Sequence, residues 1–209
     1  MDWPFFDLRL TCGAVTLRPV TDTDVPELAD LFPDDAEQDP HAERLVGLAP
    51  AADRRRLLVQ GIWRDRGSWS PRSWCLDLAV EVDGQLVGLQ SLEGEDFPRL
   101  RTVDTGSWLA VPARGRRTAV AMRTSVLGLG FDHLGAEAAV SSARFDNVAS
   151  LAVSRRLGYV DNGVSRTDSP SGVVEVQHLR LARKTWEAVR HSVTVTGLEP
   201  CLPWFGLSG

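Results

Sequence analysis

No stretch of eighteen apolar residues occurs anywhere in the 209-residue chain, which argues against a membrane span. Cysteine is scarce: Cys12, Cys75 and Cys201 lie far apart, are odd in number and form no CxxC pair. Neither a disulfide framework nor a structural zinc site is therefore expected. The four histidines (His41, His133, His178, His191) are equally scattered, so metal catalysis has no ligand cluster to rest on and no metal is expected. Lysine is almost missing, with Lys184 the only one. The acidic segment Met1-Asp2-Trp3-Pro4-Phe5-Phe6-Asp7 lacks the basic start and long apolar core of a leader peptide, and a cytoplasmic protein is expected. A net charge of −5 speaks against a nucleic-acid-binding surface as the main function.

What is present is ordinary for a soluble globular protein: 43% hydrophobic and 24% charged residues. The length suits one domain over 1–209, with a core over about 14–189 and a C-terminal strand and tail over 190–209. Arginine in place of lysine, with abundant Ala, Val, Leu, Asp and Pro, is the composition of a GC-rich bacterial genome. Arginine is also the planar, permanently charged partner for phosphate, so its clustering matters.

Residues 14–19 alternate and read as a strand stopped by Pro19. Thr21 to Asp24 supplies capping residues for a helix with Val25, Leu28, Leu31 and Phe32 on one face. Residues 33–50 read as a loop, and a second helix is expected over 52–66. Asp83-Gly84, between apolar stretches at 75–81 and 85–92, signals a hairpin. A strand over 102–111 ends before Pro112, and a helix over about 116–133 carries Val120, Leu127, Phe131 and Leu134 at helical spacing. A strand at 137–143 follows, then a helix after Asn147 that Gly158 terminates. Strands at about 173–182 and 191–197 close the chain. The order is β-α-α-β-β-β-α-β-α-β, and the helical crossover between strands 102–111 and 137–143 requires them to run parallel inside a mixed sheet. No repeat or low-complexity run interrupts it.

The turn Val111-Pro112-Ala113-Arg114-Gly115-Arg116-Arg117-Thr118-Ala119 joins a strand to the start of the long helix. Small residues let the backbone approach an anion, free amides of the first helical turn point at it, and the helix dipole favours its charge. The chain spells neither GxxxxGKS/T nor GxGxxG, which excludes a P-loop and a dinucleotide fingerprint. An arginine-rich helix start on a solvated surface would look the same, so the turn does not decide by itself.

Two flanking segments do more. Gly106-Ser107-Trp108-Leu109 precedes the turn; Asp146-Asn147-Val148-Ala149-Ser150-Leu151 and Arg156-Leu157-Gly158-Tyr159 follow it, separated by the length of a helix plus a strand. This succession resembles the GNAT superfamily of acyl-CoA N-acyltransferases, and within it the Rim-type protein N-terminal acetyltransferases. The chain is also similar to a mycobacterial member regarded as a succinyltransferase. The shared wording is at Trp3 to Arg9, Val103 to Leu109 and Cys201 to Gly206.

The resemblance implies a GNAT-like α/β fold: a mixed, mostly antiparallel central sheet with one parallel, splayed strand pair, flanked by helices. It implies acyl-CoA, acetyl or succinyl, as co-substrate and a primary amine as acceptor (a protein N-terminus, a lysine or a small metabolite), with direct attack in a ternary complex. No cysteine has a nucleophile's context, which disfavours a covalent acyl-enzyme. The phosphate turn falls on Arg114, Gly115, Arg116, Arg117, Thr118 and Ala119, with Arg117 standing where the family has its central glycine. A site needing positive φ would be strained by Arg117; a helical one would gain a phosphate-pairing guanidinium, and the helical alternative is favoured because a first helical turn has negative φ. Backbone amides around Leu109, Ala110 and Val111 would hold the acyl carbonyl and pantetheine.

Asn147 would bond pantetheine, or only cap its helix, and Ser150 would protonate the departing thiolate, or only fill a first turn. Asp104 is the expected general base, with Glu93 and Asp96 as competitors. Tyr159 reads as an apolar residue opening a strand. Trp63, Trp69, Trp74 and Trp108 line an acceptor pocket or, more simply, pack. Arg99 and Arg101 would pair a succinyl carboxylate or be solvated charges. A CoA-binding module with little or no turnover is the alternative function. The apolar residues after 190 suit a covered sheet edge or a homodimer contact.

Overall fold

The computed structural model describes residues 3–37, 42–169, 172–189 and 192–207. The chain opens with a 3-10 turn, Pro4–Asp7, and two strands, β1 (Arg9–Cys12) and β2 (Val15–Pro19). Helices α1 (Val25–Leu31) and α2 (Pro50–Gly67) follow, then the hairpin β3 (Trp74–Val82) and β4 (Gln85–Gly94). Asp83 and Gly84 at its tip both have positive φ, 52° and 74°, as a two-residue turn matching the strand twist requires. After the single turn α3 (Phe97–Leu100) come β5 (Thr102–Leu109), α4 (Thr118–Gly128) and β6 (Ala138–Arg144). The chain ends with α5 (Val148–Arg156), β7 (Val160–Thr167), β8 (Val174–Ala182), α6 (Arg183–Glu187), β9 (Thr194–Thr196) and a 3-10 segment, Glu199–Phe205.

The nine strands among the described residues form one sheet in the order β7-β8-β6-β5-β4-β3-β2-β1-β9. The β5–β6 pair is parallel and the other pairs are antiparallel, so the crossover through α4 has the expected consequence. The two-residue alternation of strands divides the core between the faces. Leu78 joins a large cluster with Leu10, Leu17, Leu92, Val103, Met122, Val126 and Leu127, on the side covered by α4. Its neighbour Ala79 joins a smaller cluster with Val25, Leu28, Ile62 and Leu89, on the side covered by α1 and α2.

Several expectations are corrected. Strand β1 was not anticipated, because Arg9–Cys12 is too short to show a period. Strand β7 was anticipated only by Tyr159 as a strand opener and left out of the element order, because every residue of it but Thr167 is exposed. The strand expected to reach Val111 stops at Leu109, where Val111–Ala113 tightens into a 3-10 turn. The helix expected from 116 starts at Thr118 and continues beyond Gly128 as a π-helical turn, Leu129–His133. The strand expected over 191–197 is Thr194–Thr196, with residue 191 outside the described residues. Asp24 does not cap α1 with its side chain; it accepts a two-pronged pair from Arg18 at 2.7 and 2.8 Å and the Thr21 amide at 2.7 Å.

The buried core also reaches beyond residues 14–189. Phe5, Leu8 and Leu10 from the start and Cys201 and Phe205 from the end are fully buried. Trp3, Phe5, Trp69, Trp74, Trp204 and Phe205 form a continuous set of ring contacts with centroids 4.5–6.4 Å apart. The Trp69 indole N–H donates to the Trp204 carbonyl at 2.9 Å. Three of the four tryptophans considered for a substrate pocket are thus accounted for by packing: Trp69 and Trp74 in this set, and Trp108 edge-on to Phe32 at 5.2 Å. β9 covers the outer edge of β1, so the C-terminal segment closes a sheet edge. Replacing Phe205 by alanine removes a ring from the centre of the aromatic set, and a loss of about 3–5 kcal/mol in urea-unfolding stability is expected.

Candidate active site

Strand β5 sets the site. It pairs with β6 only over Thr102, Val103 and Asp104, but with β4 as far as Leu109. From Thr105 onward it has a partner on one side only, while Ser141 to Arg144 of β6 pair with β8 alone. The two strands diverge and leave backbone groups of β5 uncommitted, which a protein keeps where a ligand can take them up. Gly106 leaves room for a neighbour here: a Cβ at that position would meet Ser91 Oγ at 2.8 Å and force the hydroxyl to turn away. Its carbonyl accepts from Gln90 Nε2 at 2.7 Å and from Ser91 Oγ at 3.2 Å. The Ala110 amide donates to Val87 O at 2.9 Å, which removes it from the set expected to be free over Leu109 to Val111.

The turn at the mouth of this opening is a run of unpaired amides. Gly115 has φ +77° and Arg117 φ +63°, and among the described residues no acceptor meets the amides of Gly115, Arg116, Arg117, Thr118 or Ala119. Alternating backbone handedness at a helix start aims successive N–H groups into one concavity, the geometry that receives an oxyanion. The expectation of a helical Arg117 is overturned. The chain leaves the 3-10 turn extended at Arg114 and must reverse at Arg117 before α4 can begin. A non-glycine residue pays about 1 kcal/mol for that conformation. The side chains of Arg116 and Arg117 stay in solvent, without ion-pair partners among the described residues.

Across the opening, Asn147 caps α5: its Oδ1 accepts the Ser150 amide at 3.1 Å. The Ser150 hydroxyl makes no hydrogen bond among the described residues. An acidic strap following α1 touches both walls. Asp35 pairs with Arg114 through two bonds of 2.6 and 2.7 Å, and Glu37 Oε1 accepts from Asn147 Nδ2 at 2.6 Å. Arg114 also donates through Nε to Leu109 O at 3.1 Å.

Asp104 lies at the fork, directly across from Glu93 on β4. Its carboxylate reaches solvent but is crowded by protein on its other sides, and that desolvation raises its pKa despite the Thr105 amide at 2.6 Å and the Arg123 charge. Glu93 is also raised, by desolvation and then by Asp104 and Asp65. Asp77, one strand further on the same face, is pushed up to about 7 by desolvation and by Asp65. Asp96, the third base considered, is spent on Arg72 and Arg99. Arg101 donates to Leu134 O at 3.1 Å and stacks on Phe97, which commits it within the protein, whereas Arg99 lies in solvent 3.8 Å from Asp96.

On the opposite face, Tyr159 is 3% exposed and burial pushes its hydroxyl up to about 12, in keeping with a packed residue ahead of β7. Sequence reading missed Asp35, Glu37, Asp65, Asp77 and the buried Arg123. Of these only Arg123 left a signal: it stands three residues after Val120 and four before Leu127, where the apolar stripe of α4 should continue.

Residues 14–160, more than half of the chain, match the acetyltransferase (GNAT) domain family. The chain belongs to the GNAT family. Solved GNAT structures share its fold. Mycobacterium smegmatis RimJ in complex with CoA-disulfide is 20% identical, with a TM-score of 0.68 over 91% of this chain and 93% of that one. A GCN5-related N-acetyltransferase from Brucella melitensis is 18% identical, with a TM-score of 0.66 over 86% and 80%. A spermidine N-acetyltransferase SpeG chimera from Vibrio cholerae is 14% identical, with a TM-score of 0.65 over 85% and 100%. The family is one of acetyl-CoA-dependent N-acetyltransferases, and the forked β5–β6 pair beside a helix-start anion turn is the feature of this chain that fits a CoA thioester. No helix among the described residues is long and apolar enough to cross a membrane.

The strain at Arg117 gives a test that needs no ligand. Arg117→Gly should raise unfolding stability by about 1 kcal/mol, because glycine enters the left-handed region without the Cβ clash. An unchanged or lowered denaturation midpoint would contradict the left-handed conformation.

Proposed function

We propose that this GNAT chain transfers an acyl group from CoA to a primary amine by direct attack within a ternary complex. The observation that carries the proposal is the run of five unpaired amides at Gly115 to Ala119, set at the mouth of the β5–β6 fork. Arg114 to Ala119 bind the pyrophosphate, the backbone from Leu109 to Val111 guides pantetheine and the thioester carbonyl, and Asn147 bonds pantetheine while capping α5. Ala110 itself adds little, since its amide is held by Val87 and its carbonyl accepts the Ala113 amide at 2.9 Å.

Chemistry follows from the charges around the fork. The acceptor arrives as an ammonium, and Asp104, facing Glu93, draws it in and takes one proton. The amine lone pair then forms the C–N bond as the carbonyl π pair moves to oxygen. When that pair returns, the C–S bond breaks with its electrons on sulfur, and the second proton of the nitrogen reaches sulfur by way of Ser150 or water. The sum is an amide, CoA thiol and one proton released. A carboxylate pKa raised by its surroundings makes a better base near neutrality than an ordinary one.

Acetyl is the donor group we favour, because Arg101 is engaged with Leu134 and Arg99 is a solvated charge beside Asp96. The acidic wall of Asp104, Glu93, Asp77 and Asp65 suits a cationic acceptor, and the Rim-type resemblance favours a protein N-terminus. The rival reading, CoA binding without turnover, rests on Arg117 in place of the family's glycine.

Thermal unfolding with CoA, acetyl-CoA and succinyl-CoA tests site and donor together. Saturation at about a hundred times Kd should stabilise by about 2.7 kcal/mol, and no shift with any of the three would sink the proposal. Asp35→Asn, by releasing an exposed pair that the pyrophosphate must displace, should tighten CoA binding by up to about five-fold. Turnover with an amine panel separates the enzyme from the binding module. In that assay kcat/KM should rise with pH through the Asp104 pKa, since only the carboxylate form accepts a proton. Asp104→Asn should remove that rise and lower kcat by about 10²–10⁴; unchanged turnover at neutral and high pH would discard the base.

A further inference from the structure

Helix α4 carries one charge into the interior. Arg123 is 4% exposed, on the face of α4 turned to the sheet, and has no carboxylate within ion-pair reach among the described residues. Its NH1 donates to Ser154 Oγ on α5 at 2.7 Å and its NH2 to Ser107 Oγ on β5 at 3.2 Å. Its Nε is buried and meets no partner among the described residues. Burial weakens the guanidinium's hold on its proton, and Tyr159 and Asp104 are the groups that sense its charge. A buried cation without a counter-ion is costly, and an apolar side chain of similar size would fill the space at no such cost. The charge therefore answers to something other than packing.

The two serines differ in what they have left to give. Ser154 accepts from Arg123 and donates onward to Ser150 O at 3.2 Å, so its hydroxyl is fully used inside α5. Ser107 is exposed on the stretch of β5 that β6 has abandoned. It accepts from Arg123, and its own hydrogen meets no acceptor among the described residues. Arg123 thus spans the β5 and α5 walls of the fork from beneath, and Ser107 brings a polarised O–H to the surface of the opening. The other arm of the guanidinium is held on α5 by Ser154, one turn from Ser150.

We propose that Arg123 and Ser107 form a relay that stabilises the CoA sulfur as it leaves, Ser107 donating a hydrogen bond to the thiolate and Arg123 holding and polarising Ser107. The assignment rests on the acyl-transfer reading above. As the C–S bond breaks, its electron pair stays on sulfur until the proton from the amine nitrogen arrives. Neither Ser107 nor Arg123 changes covalently or gives up a proton outright. Ser107 is then a catalytic residue and Arg123 a positioning residue, and the family's phosphate helix would supply charge at both of its ends of the cofactor: amides for the pyrophosphate, a guanidinium for the sulfur.

The test is the thiol of CoA bound to the full chain, titrated through its ultraviolet thiolate absorbance, in the unsubstituted protein and in Arg123→Gln, Arg123→Lys and Ser107→Ala. The thiol pKa should lie below that of CoA in solution in the unsubstituted chain. It should rise by about one to three pH units in Arg123→Gln, rise in Ser107→Ala, and be largely restored in Arg123→Lys, which keeps the charge. Turnover should fall by about 10²-fold in Arg123→Gln, with CoA affinity within a few-fold. A folded, CoA-binding Arg123→Gln whose thiol titrates as in the unsubstituted chain overturns the relay and leaves the acyl-transfer reading standing. If Arg123→Gln does not fold, Ser107→Ala decides, because its side chain lies at the surface: an unchanged thiol pKa overturns the relay. Failure of the unsubstituted chain to bind CoA overturns both readings together.

Discussion

The parting of β5 from β6 after Asp104 is the constraint on which the rest of the structure depends. Backbone N–H and C=O groups normally pair inside a sheet, so five residues of one-sided strand in mid-sheet need support from elsewhere. Support comes from the β4 side. Gln90 and Ser91 both bond the Gly106 carbonyl, and the Ala110 amide bonds Val87. With β5 held to β4 and β6 held to β8, the gap between them is fixed by two rigid half-sheets. Helix α4, which crosses from one half to the other, has to start at the mouth of that gap.

The consequence is a division of charge across the sheet. On the α1–α2 side, Asp104, Glu93, Asp77 and Asp65 crowd together; desolvation raises three of them, and repulsion from neighbouring carboxylates adds to it at Asp77 and Glu93. On the α4 side, unpaired amides, exposed arginines and the buried Arg123 make a cationic lining. A thioester in the fork would have anion-stabilising groups along its CoA portion and cation-attracting groups where an amine approaches. The acidic strap bridging Arg114 and Asn147 through Asp35 and Glu37 places carboxylates where phosphate-like ligands would compete for the same donors.

How much was legible in the sequence varied with the range of the interaction. The Asp83-Gly84 hairpin, the α5 stop at Gly158 and the parallel pair implied by the α4 crossover depend on neighbouring residues or on chain connectivity, and each is found as read. Strand β7 was signalled only by Tyr159 ahead of it and has no place in the expected order, because Val160–Thr167 lies at a sheet edge with both faces in solvent and no alternation was imposed on its residues. Arg117 was misjudged because its handedness is dictated by the 3-10 turn before it and the helix after it, whereas the residue itself favours the opposite conformation. Asp96 read as a base candidate by proximity to β4, yet its partners Arg72 and Arg99 remove it.

Sequence alone determined the family, the hairpin and the central strand–helix–strand crossover, since these are written in short contiguous segments or in their order along the chain. The tertiary structure decided which groups those segments have left to offer. It took the Ala110 amide away and gave Arg117 its left-handed turn. It also set Glu93 against Asp104 and buried Arg123 beneath Ser107. Each of those outcomes depends on a partner brought up from a distant part of the chain, and the sheet register and helix packing that bring it there are not encoded in any one segment.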